Sequence, residues 1–217
     1  MPQFDTRDPR LPGFWDERFG GGFTPWDRGG VPHDLRAFVG AAPAPLRTLI
    51  PGCGSAYELA FLLDAGWDAH AIDFSPAAVA AARAVAGRWQ ARIDCADFFA
   101  YAPAEPLELI YERAFLCALP RAMWPQVAKR WASLLAPGAL LAGFFFFDDA
   151  PKGPPFGIDA AQLHALLSPY FLCLSDQAAS DSIAVFAGKE RWQVWQRTAA
   201  PAVVQAERES GDSHLID

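Results

Sequence analysis

The 217-residue sequence is poor in the residues that build metal sites and disulfide frameworks. It contains four cysteines and four histidines, and neither type recurs at the spacing of a metal-binding motif. The cysteines fall in turns or apolar segments, so we expect reduced thiols and no bound metal. A nucleophilic cysteine is not favoured, because no histidine stands near one in a recognisable pattern.

Positive charge and long apolar runs are also scarce. Eighteen Lys and Arg residues face 25 Asp and Glu residues, giving a net charge of −7, which argues against nucleic acid as the main partner. No apolar stretch has membrane-spanning length with suitable flanks, and the first ten residues lack a secretory pattern. We therefore expect a soluble, cytoplasmic protein that binds no membrane. The length predicts one domain, 1–217, with an ample core and a monomeric state.

The most informative segment, residues 49–75, predicts two parallel strands joined by a helix. Arg47–Ile50 and Ala69–Ile72 are short apolar runs that read as strands. Between them, Ala56–Gly66 carries apolar residues at helical spacing and ends on a glycine that can cap the helix. Open parallel sheets bind ligands beyond the carboxyl ends of their strands, so we expect a site there.

The two strand ends in this segment carry residues typical of a cofactor site. Gly52, Cys53 and Gly54 follow the first strand, and Asp73 and Phe74 follow the second. A glycine turn lets a ligand approach bare backbone, and an acid about 20 residues further on can accept both ribose hydroxyls. We therefore predict that these residues bind an adenosine-bearing cofactor.

Tyrosine at position 57 bears on which cofactor this is. A dinucleotide motif has its third glycine there, where the chain must make room for a pyrophosphate. Its absence favours S-adenosylmethionine, which has no phosphate, over NAD(P). A third strand, Ala91–Cys95, is followed by Asp97 and Phe98, which we expect to bond the adenine amino group and to cover the ring.

The remaining chain predicts an α/β fold with an open, doubly wound, seven-stranded sheet. Four further apolar runs read as strands, and the last two suggest an antiparallel hairpin: Leu107–Tyr111, Ala139–Phe147, Tyr170–Leu174 and Ser182–Phe186. Helices are predicted over the intervening segments: Pro32–Val39, Pro76–Arg88 after an N-capping Ser75, Arg121–Leu135 and Ile158–Leu167. Residues 198–217 read as a loosely ordered polar tail.

Several short blocks along the chain resemble the thiopurine S-methyltransferase family. They run in the family's order from about residue 14 to residue 197: Phe14-Trp15-Asp16, Thr24-Pro25-Trp26-Asp27, LIPGCGSAYE at 49–58, Asp73-Phe74-Ser75, Asp97-Phe98-Phe99, Glu112-Arg113, FLCALP at 115–120, Gly153-Pro154-Pro155-Phe156 and Glu190-Arg191-Trp192. FLCALP is more similar to the bacterial and plant branch, some plant members of which methylate halides, thiocyanate or bisulfide.

The resemblance implies a class I, Rossmann-like methyltransferase that converts S-adenosylmethionine to S-adenosylhomocysteine. It implies an N-terminal arm, residues 1–45, lying over the cofactor on a core of residues 46–197. Trp15 and Trp26 match the aromatic residues of that arm, and Glu112 belongs to a matching block, so we expect all three to bind the cofactor.

The expected reaction is transfer of a methyl group to a small soft nucleophile: a thiopurine or other thiol, thiocyanate, bisulfide or a halide. Arg113 and Arg191 are the predicted catalytic residues, because either could hold an anion or favour a thiolate. Phe156 and the run Phe144–Phe147 are expected to line a dry pocket for the small-molecule acceptor. No general base stands out, although Glu112 or Tyr111 could serve. The alternatives are methylation of oxygen or nitrogen, an NAD(P)-dependent oxidoreductase, and a non-catalytic cofactor-binding module.

Overall fold

A computed structural model describes residues 3–199 of the chain. An N-terminal arm carries two helices, α1 (Pro12–Gly20) and α2 (His33–Ala41). The core that follows alternates strands and helices: β1 (Arg47–Pro51), α3 (Tyr57–Asp64), β2 (Asp68–Asp73), α4 (Pro76–Ala86), β3 (Ile93–Cys95), β4 (Leu107–Arg113), α5 (Trp124–Leu134), β5 (Leu135–Phe146), α6 (Ala160–Leu167), β6 (Phe171–Ala178) and β7 (Glu190–Arg197).

The seven strands form one sheet in the order β3-β2-β1-β4-β5-β7-β6. The first five are parallel, and β7 runs antiparallel to both of its neighbours. The predicted seven-stranded, doubly wound sheet is therefore confirmed. The order reverses at β1, whose neighbours are β2 and β4, and such a switch point opens a crevice at the carboxyl ends of the strands.

The core lies on both faces of the sheet, as expected for a sheet covered by helices. In β1, for example, Leu49 belongs to the cluster beneath α5 and α6, whereas Ile50 belongs to the cluster beneath α3 and α4. Local sequence fixes the helix starts: Ser75 Oγ accepts a hydrogen bond from Ala78 N, and Asp159 forms a capping box with Gln162.

The prediction of a strand at Ser182–Phe186 is wrong. These residues lie in turns between β6 and β7, and the last strand is Glu190–Arg197. Phe186 is buried, but it packs on Phe146 in a small separate cluster, so its burial reflects tertiary packing rather than a strand. The antiparallel hairpin itself is present, formed by β6 and β7.

Two smaller differences concern the ends of elements. The third strand is confined to Ile93–Cys95, because residues 87–92 form a 3₁₀ helix. The C-terminal tail predicted for 198–217 lies outside the described residues from position 200 onward. No helix within residues 3–199 combines the length and the apolar character needed to cross a bilayer.

Candidate active site

A cavity of about 740 Å³ opens at the carboxyl edge of the sheet, beside the switch point at β1. Its floor comes from the segments that follow β1, β2, β3 and β4, and its roof comes from the N-terminal arm. Ten of the residues predicted to form the site line this cavity: Trp15, Trp26, Gly52, Cys53, Gly54, Asp73, Phe74, Asp97, Phe98 and Arg113. The fold thus brings most of the predicted site together.

The loop after β1 has a backbone that only small residues tolerate. Gly52 and Gly54 have φ values of +58° and +53°, and Ala56 also adopts the left-handed conformation at +53°. A Cβ atom on Gly52 would lie 2.6 Å from Cδ2 of Phe115, far closer than carbon atoms pack. The loop therefore presents bare backbone to the cavity, as the glycine pattern predicted.

The acid after β2 is held by the same loop. Asp73 is 7% exposed; its Oδ2 accepts a hydrogen bond from Gly54 N at 3.2 Å, and its Oδ1 accepts one from Ser75 N at 2.9 Å. Burial raises the pKa of Asp73 to about 6, because these backbone donors offset only part of the desolvation. The carboxylate is thus oriented at the cavity wall and ionised at neutral pH.

The segment after β3 supplies the other end of this wall. The Asp97 carboxylate accepts a hydrogen bond from Phe99 N at 2.9 Å, which fixes the turn that carries it. Phe98 is buried and packs edge-on against Phe115, with ring centroids 4.9 Å apart. Both side chains line the cavity at the end of β3.

The N-terminal arm is fastened to the helix that follows β2. Asp16 Oδ1 accepts hydrogen bonds from Ser75 Oγ at 2.6 Å and from Ala77 N at 3.0 Å, so α1 adds a carboxylate to the N-terminus of α4. Trp15 donates its indole N–H to Pro9 O and packs edge-on against Trp26, with centroids 5.5 Å apart. The arm therefore places two indoles over the cavity.

Arg113 is the predicted catalytic residue that reaches the cavity. Its side chain is 12% exposed, donates from Nη1 to Glu190 Oε1 at 2.9 Å, and lies 4.3 Å from the centroid of the Phe144 ring. Nη2 has no hydrogen-bond partner among the described residues. This buried, unsatisfied donor is available to an anionic ligand.

The structure does not bring Arg191 to the cavity. It lies on β7, donates from Nε to Asp176 Oδ1 at 2.6 Å, and its side chain is 42% exposed. Because β7 begins at residue 190, Arg191 follows Glu190 and projects from the opposite face of the sheet. Arg191 forms an ion pair with Asp176 at the surface. Its neighbour Glu190 is the residue of β7 that forms an ion pair with Arg113.

Glu112, Phe156 and the run Phe144–Phe147 also lie outside the cavity lining. Glu112 is fully buried, and its Oε1 accepts hydrogen bonds from Phe115 N and Leu116 N, both at 3.0 Å. Its role in this structure is to hold the backbone after β4. The Phe156 ring packs against Gly153, and the backbone N–H of Phe156 donates a hydrogen bond to Cys117 O. Gly153 itself lines the cavity.

Sequence reasoning missed two acids that matter to the site. Asp16 belongs to the Phe14-Trp15-Asp16 block. Its membership of that family-like block was the sequence signal for a role at the site. Glu58 lines the cavity from the first turn of α3, is 8% exposed, and accepts a 3.4 Å hydrogen bond from the Tyr111 hydroxyl. Its position just behind the glycine loop was the available signal.

The residues at the cavity suit S-adenosylmethionine in their chemistry. The Gly52 turn packs so closely on Phe115 that a Cβ would not fit, the buried Asp73 carboxylate can accept ribose hydroxyls, and the acids of the lining suit a cationic ligand. Within residues 3–199, no group of three or more His, Cys, Asp and Glu side chains is arranged to hold a metal ion.

Comparison with known proteins agrees with this geometry. A family model described as thiopurine S-methyltransferase matches residues 10–198. Thiocyanate methyltransferase 1 of Arabidopsis thaliana is 28% identical over 192 residues, 85% of each chain. Thiopurine S-methyltransferase of Vibrio cholerae is 40% identical over 72 residues, which are 32% of this chain and 33% of that protein.

A solved structure extends the comparison to the fold. The 1,6-didemethyltoxoflavin-N1-methyltransferase of Burkholderia thailandensis superposes with a TM-score of 0.71, covering 91% of this chain and 94% of that one at 16% identity. At this low identity the superposition shows the fold alone, which is that of the class I methyltransferases. The family model, by contrast, spans most of the sequence, and the chain therefore belongs to the thiopurine S-methyltransferase family.

Proposed function

We propose that this chain transfers a methyl group from S-adenosylmethionine to the sulfur of a small thiol-type acceptor, or to a similar soft anion. The proposal rests on its membership of the family and on one observation above all. The glycine loop, Asp73 and Arg113 line one cavity, and Nη2 of Arg113 has no hydrogen-bond partner among the described residues. The thiopurine and thiocyanate methyltransferases among its relatives support this acceptor class.

In this proposal, the backbone of Gly52, Cys53 and Gly54 holds the methionine part of the cofactor, and Asp73 holds its ribose, with Phe74 alongside. Asp97 and Phe98 hold the adenine, while Trp15 and Trp26 cover the bound cofactor. The Burkholderia methyltransferase of the same fold was crystallised with S-adenosylhomocysteine, which supports a cofactor of this kind. When bound, S-adenosylmethionine supplies a methyl group on a positively charged sulfur.

The chain's own contribution is alignment and the exclusion of water. An anionic acceptor and a cationic donor neutralise each other as the reaction proceeds. Water therefore stabilises the charged reactants more than the transition state, in which the charge is dispersed. The indoles of the arm and the phenylalanine rings at the floor shield this region from solvent. A shielded cavity therefore accelerates the transfer without a covalent enzyme intermediate.

Arg113 is proposed to hold the acceptor. Its guanidinium is positioned by Glu190 and by the Phe144 ring, and Nη2, which has no partner within residues 3–199, can donate to an anion. A positive charge at this place increases the thiolate fraction of a bound thiol, which is only a few per cent ionised at neutral pH when free. Arg191, which is paired with Asp176 at the surface, has no part in this role.

A panel of acceptors tests the proposal directly. Radiolabelled S-adenosylmethionine is incubated with thiols, thiopurines, thiocyanate, iodide, phenols and amines, and methylated products are counted. We expect transfer to sulfur or halide acceptors. Transfer to phenols or amines alone would overturn the proposal in favour of an O- or N-methyltransferase, and cofactor binding without transfer would favour a non-catalytic module.

Two arginine variants sharpen this test. Arg113→Met removes the cation at the cavity, and we expect at least a tenfold loss of kcat/KM for an anionic acceptor, since hydrogen bonds to charged groups contribute about 1.5–3 kcal/mol. Arg191→Met is the matched control and should retain the wild-type value within about twofold, because exposed ion pairs contribute little. Equal losses in both variants would contradict the assignment of Arg113.

We further propose a monomer located in the cytoplasm, with residues 1–45 as the arm over a core of 46–197, and no nucleic-acid or membrane partner. The net charge of −7 supports the absence of a nucleic-acid partner. Light scattering coupled to size-exclusion chromatography measures the oligomeric state, and a mass of twice 23.6 kDa would contradict the monomer.

A further inference from the structure

The cavity contains an acid to which the proposed mechanism gives no role. Glu58 lies in the first turn of α3, directly behind the glycine loop, and its side chain lines the cavity although the residue is almost fully buried. Charged residues are rarely buried without a partner, and the pair it forms with the Tyr111 hydroxyl is long, at 3.4 Å. A buried carboxylate with spare acceptor capacity is thus present at the reaction cavity.

Glu58 contacts an element that carries part of the proposed acceptor site. It lies in the first turn of α3, four residues after Gly54 of the glycine loop, and accepts its hydrogen bond from Tyr111, which lies two residues before Arg113 on the same face of β4. Besides burial, the charges of Asp73 and Glu58 raise the pKa of the Cys53 thiol, and the charge of Arg113 opposes the effect of burial on the pKa of Glu58. Glu58 therefore lies within electrostatic reach of both the glycine loop and Arg113.

Burial keeps Glu58 basic enough to take a proton, against the net effect of several groups that face it. They are Tyr111 and Arg113 from β4, Asp27 from the arm and Cys53 from the glycine loop. Burial raises the pKa of Glu58 above its usual range, with a smaller contribution from the charge of Asp27, whereas a hydrogen bond from its own backbone N–H, the charge of Arg113 and the Tyr111 hydroxyl lower it. A carboxylate whose pKa moves toward neutrality is a better general base than an exposed one.

Other candidates for this task are occupied or inaccessible. Glu112 is closed off from the cavity and holds two backbone N–H groups through Oε1. Tyr111 is fully buried, and burial raises the pKa of its hydroxyl well above the usual value. Asp27 accepts hydrogen bonds from Ser55 and Gly29, and none of the histidines in residues 3–199 lines the cavity.

We infer that Glu58 is the general base for acceptors that reach the site protonated, such as alkyl thiols. This inference rests on the proposed methyl transfer to sulfur. The acceptor S–H gives its proton to a carboxylate oxygen of Glu58, and the sulfur lone pair forms the new bond to the methyl carbon. The bond from that carbon to the donor sulfur breaks with its electron pair, which leaves a neutral thioether. The proton then passes from Glu58 to solvent.

The test compares an acceptor that carries a proton with one that does not. Wild type and Glu58→Gln are assayed with 2-mercaptoethanol, a protonated thiol at neutral pH, and with thiocyanate, which is ionised throughout. We expect kcat/KM for the thiol to fall at least about thirtyfold in the variant. General-base catalysis contributes roughly 10²–10⁴-fold, and the threshold of about thirtyfold is set just below that range. The value for thiocyanate should stay within about twofold.

The pH dependence adds a readout that a structural defect would not reproduce. As the pH rises toward the pKa of the thiol, about 8.5 for an ordinary thiol, the thiolate needs no base and the deficit of Glu58→Gln should shrink. A deficit that is constant with pH would overturn the inference. Calorimetry should show that Glu58→Gln still binds S-adenosylmethionine, so that the loss with the thiol is not a loss of the cofactor site.

Two further variants keep the test decisive. Glu58→Asp keeps a carboxylate but shortens it, so it should lose less thiol activity than Glu58→Gln, and it serves as the test if the glutamine variant fails to fold. Glu105→Gln changes an exposed acid far from the cavity and should leave both activities unchanged. Equal losses for both acceptors, or no loss for either, would overturn the inference. If wild type methylates neither, the proposed function fails instead.

Discussion

At the scale of single residues, Asp73 sets how cofactor affinity responds to pH. Burial raises the pKa of Asp73 from 3.8 to about 6, so the carboxylate is ionised above that pH and protonated below it. We expect the affinity for S-adenosylmethionine to weaken as the pH falls from 7.5 to 5, because a protonated carboxyl is a poorer acceptor for two ribose hydroxyls. Isothermal calorimetry across this range measures the change.

The Asp73→Asn variant shows whether this titration belongs to Asp73. It should bind S-adenosylmethionine at least tenfold more weakly at pH 7.5, with little dependence on pH, because charge-assisted hydrogen bonds contribute about 1.5–3 kcal/mol. Asp94→Asn, at an exposed acid paired with His70, is the control and should behave as wild type. A variant that kept the wild-type pH dependence would contradict the assignment.

Gly52 offers a second prediction at this scale. Gly52→Ala combines a positive φ with a Cβ placed 2.6 Å from the Phe115 ring, so we expect the free energy of unfolding to fall by about 2–4 kcal/mol. Gly66→Ala has a similar φ of +82° but open space around its Cβ, and it should cost only about 1 kcal/mol. Chemical denaturation compares the two, and equal losses would show that the Phe115 contact is unimportant.

Sequence alone could predict the residues that sit at strand ends, because that position follows from local pattern. Gly52, Asp73 and Asp97 come directly after apolar runs, and all three line the cavity. Arg191 could not be placed in the same way. Its face depends on where β7 begins, and a shift of one residue turns every side chain of a strand to the other face. Glu58 follows the glycine loop closely in sequence, but its burial beside Tyr111 of β4 depends on tertiary packing, which the local pattern does not reveal.

At the scale of elements, the arm and α4 act as one unit. The Asp16 carboxylate accepts hydrogen bonds from Ser75 Oγ and Ala77 N. Ser75 N in turn donates a hydrogen bond to Asp73, so a chain of hydrogen bonds joins the arm to the predicted ribose site. We expect Asp16→Asn to loosen the arm and to weaken S-adenosylmethionine binding several-fold. Faster tryptic cleavage at Arg18 or Arg28 and a change in tryptophan fluorescence would report the loosening.

Asp8→Asn provides a matched comparison on the same arm. Asp8 pairs with Arg10 near the surface and makes no contact with α4 among the hydrogen bonds of the described residues. Its loss should leave the rate of cleavage and the cofactor affinity close to wild type. If both variants opened the arm equally, the bond between α1 and α4 would not be what holds it.

The order of elements was more predictable than the last strand. Residues 182–186 are an apolar run, S-I-A-V-F, that resembles a buried strand, yet Val185 is exposed at the cavity rim and Phe186 packs into a side cluster. The true strand, Glu190–Arg197, mixes charged, polar and aromatic residues, because one face packs on α2 through Trp192 and Phe38. Polar residues at 190 and 193 are buried there, which hides the strand from a hydrophobicity pattern.

At the scale of the whole molecule, ligand binding should stabilise the fold selectively. The cavity joins the arm to four strand ends, so a bound cofactor contacts only the folded state. At a hundred times its Kd, S-adenosylmethionine or S-adenosylhomocysteine should add about 2.7 kcal/mol, which corresponds to about 5–10 °C in Tm for a domain of this size. Differential scanning fluorimetry measures the shift, and NAD at equal concentration should give none. A larger shift with NAD would favour an oxidoreductase.

The position of β7 governs how the chain completes its fold during synthesis. Within residues 3–199, the last strand is not at the edge of the sheet but between β5 and β6, and β6 pairs with the sheet through β7. A nascent chain that has not yet released residues 190–197 therefore leaves β5 with an open edge and β6 without a place in the sheet. Such edges recruit other strands. The chain is thus most vulnerable to aggregation until its last strand leaves the ribosome.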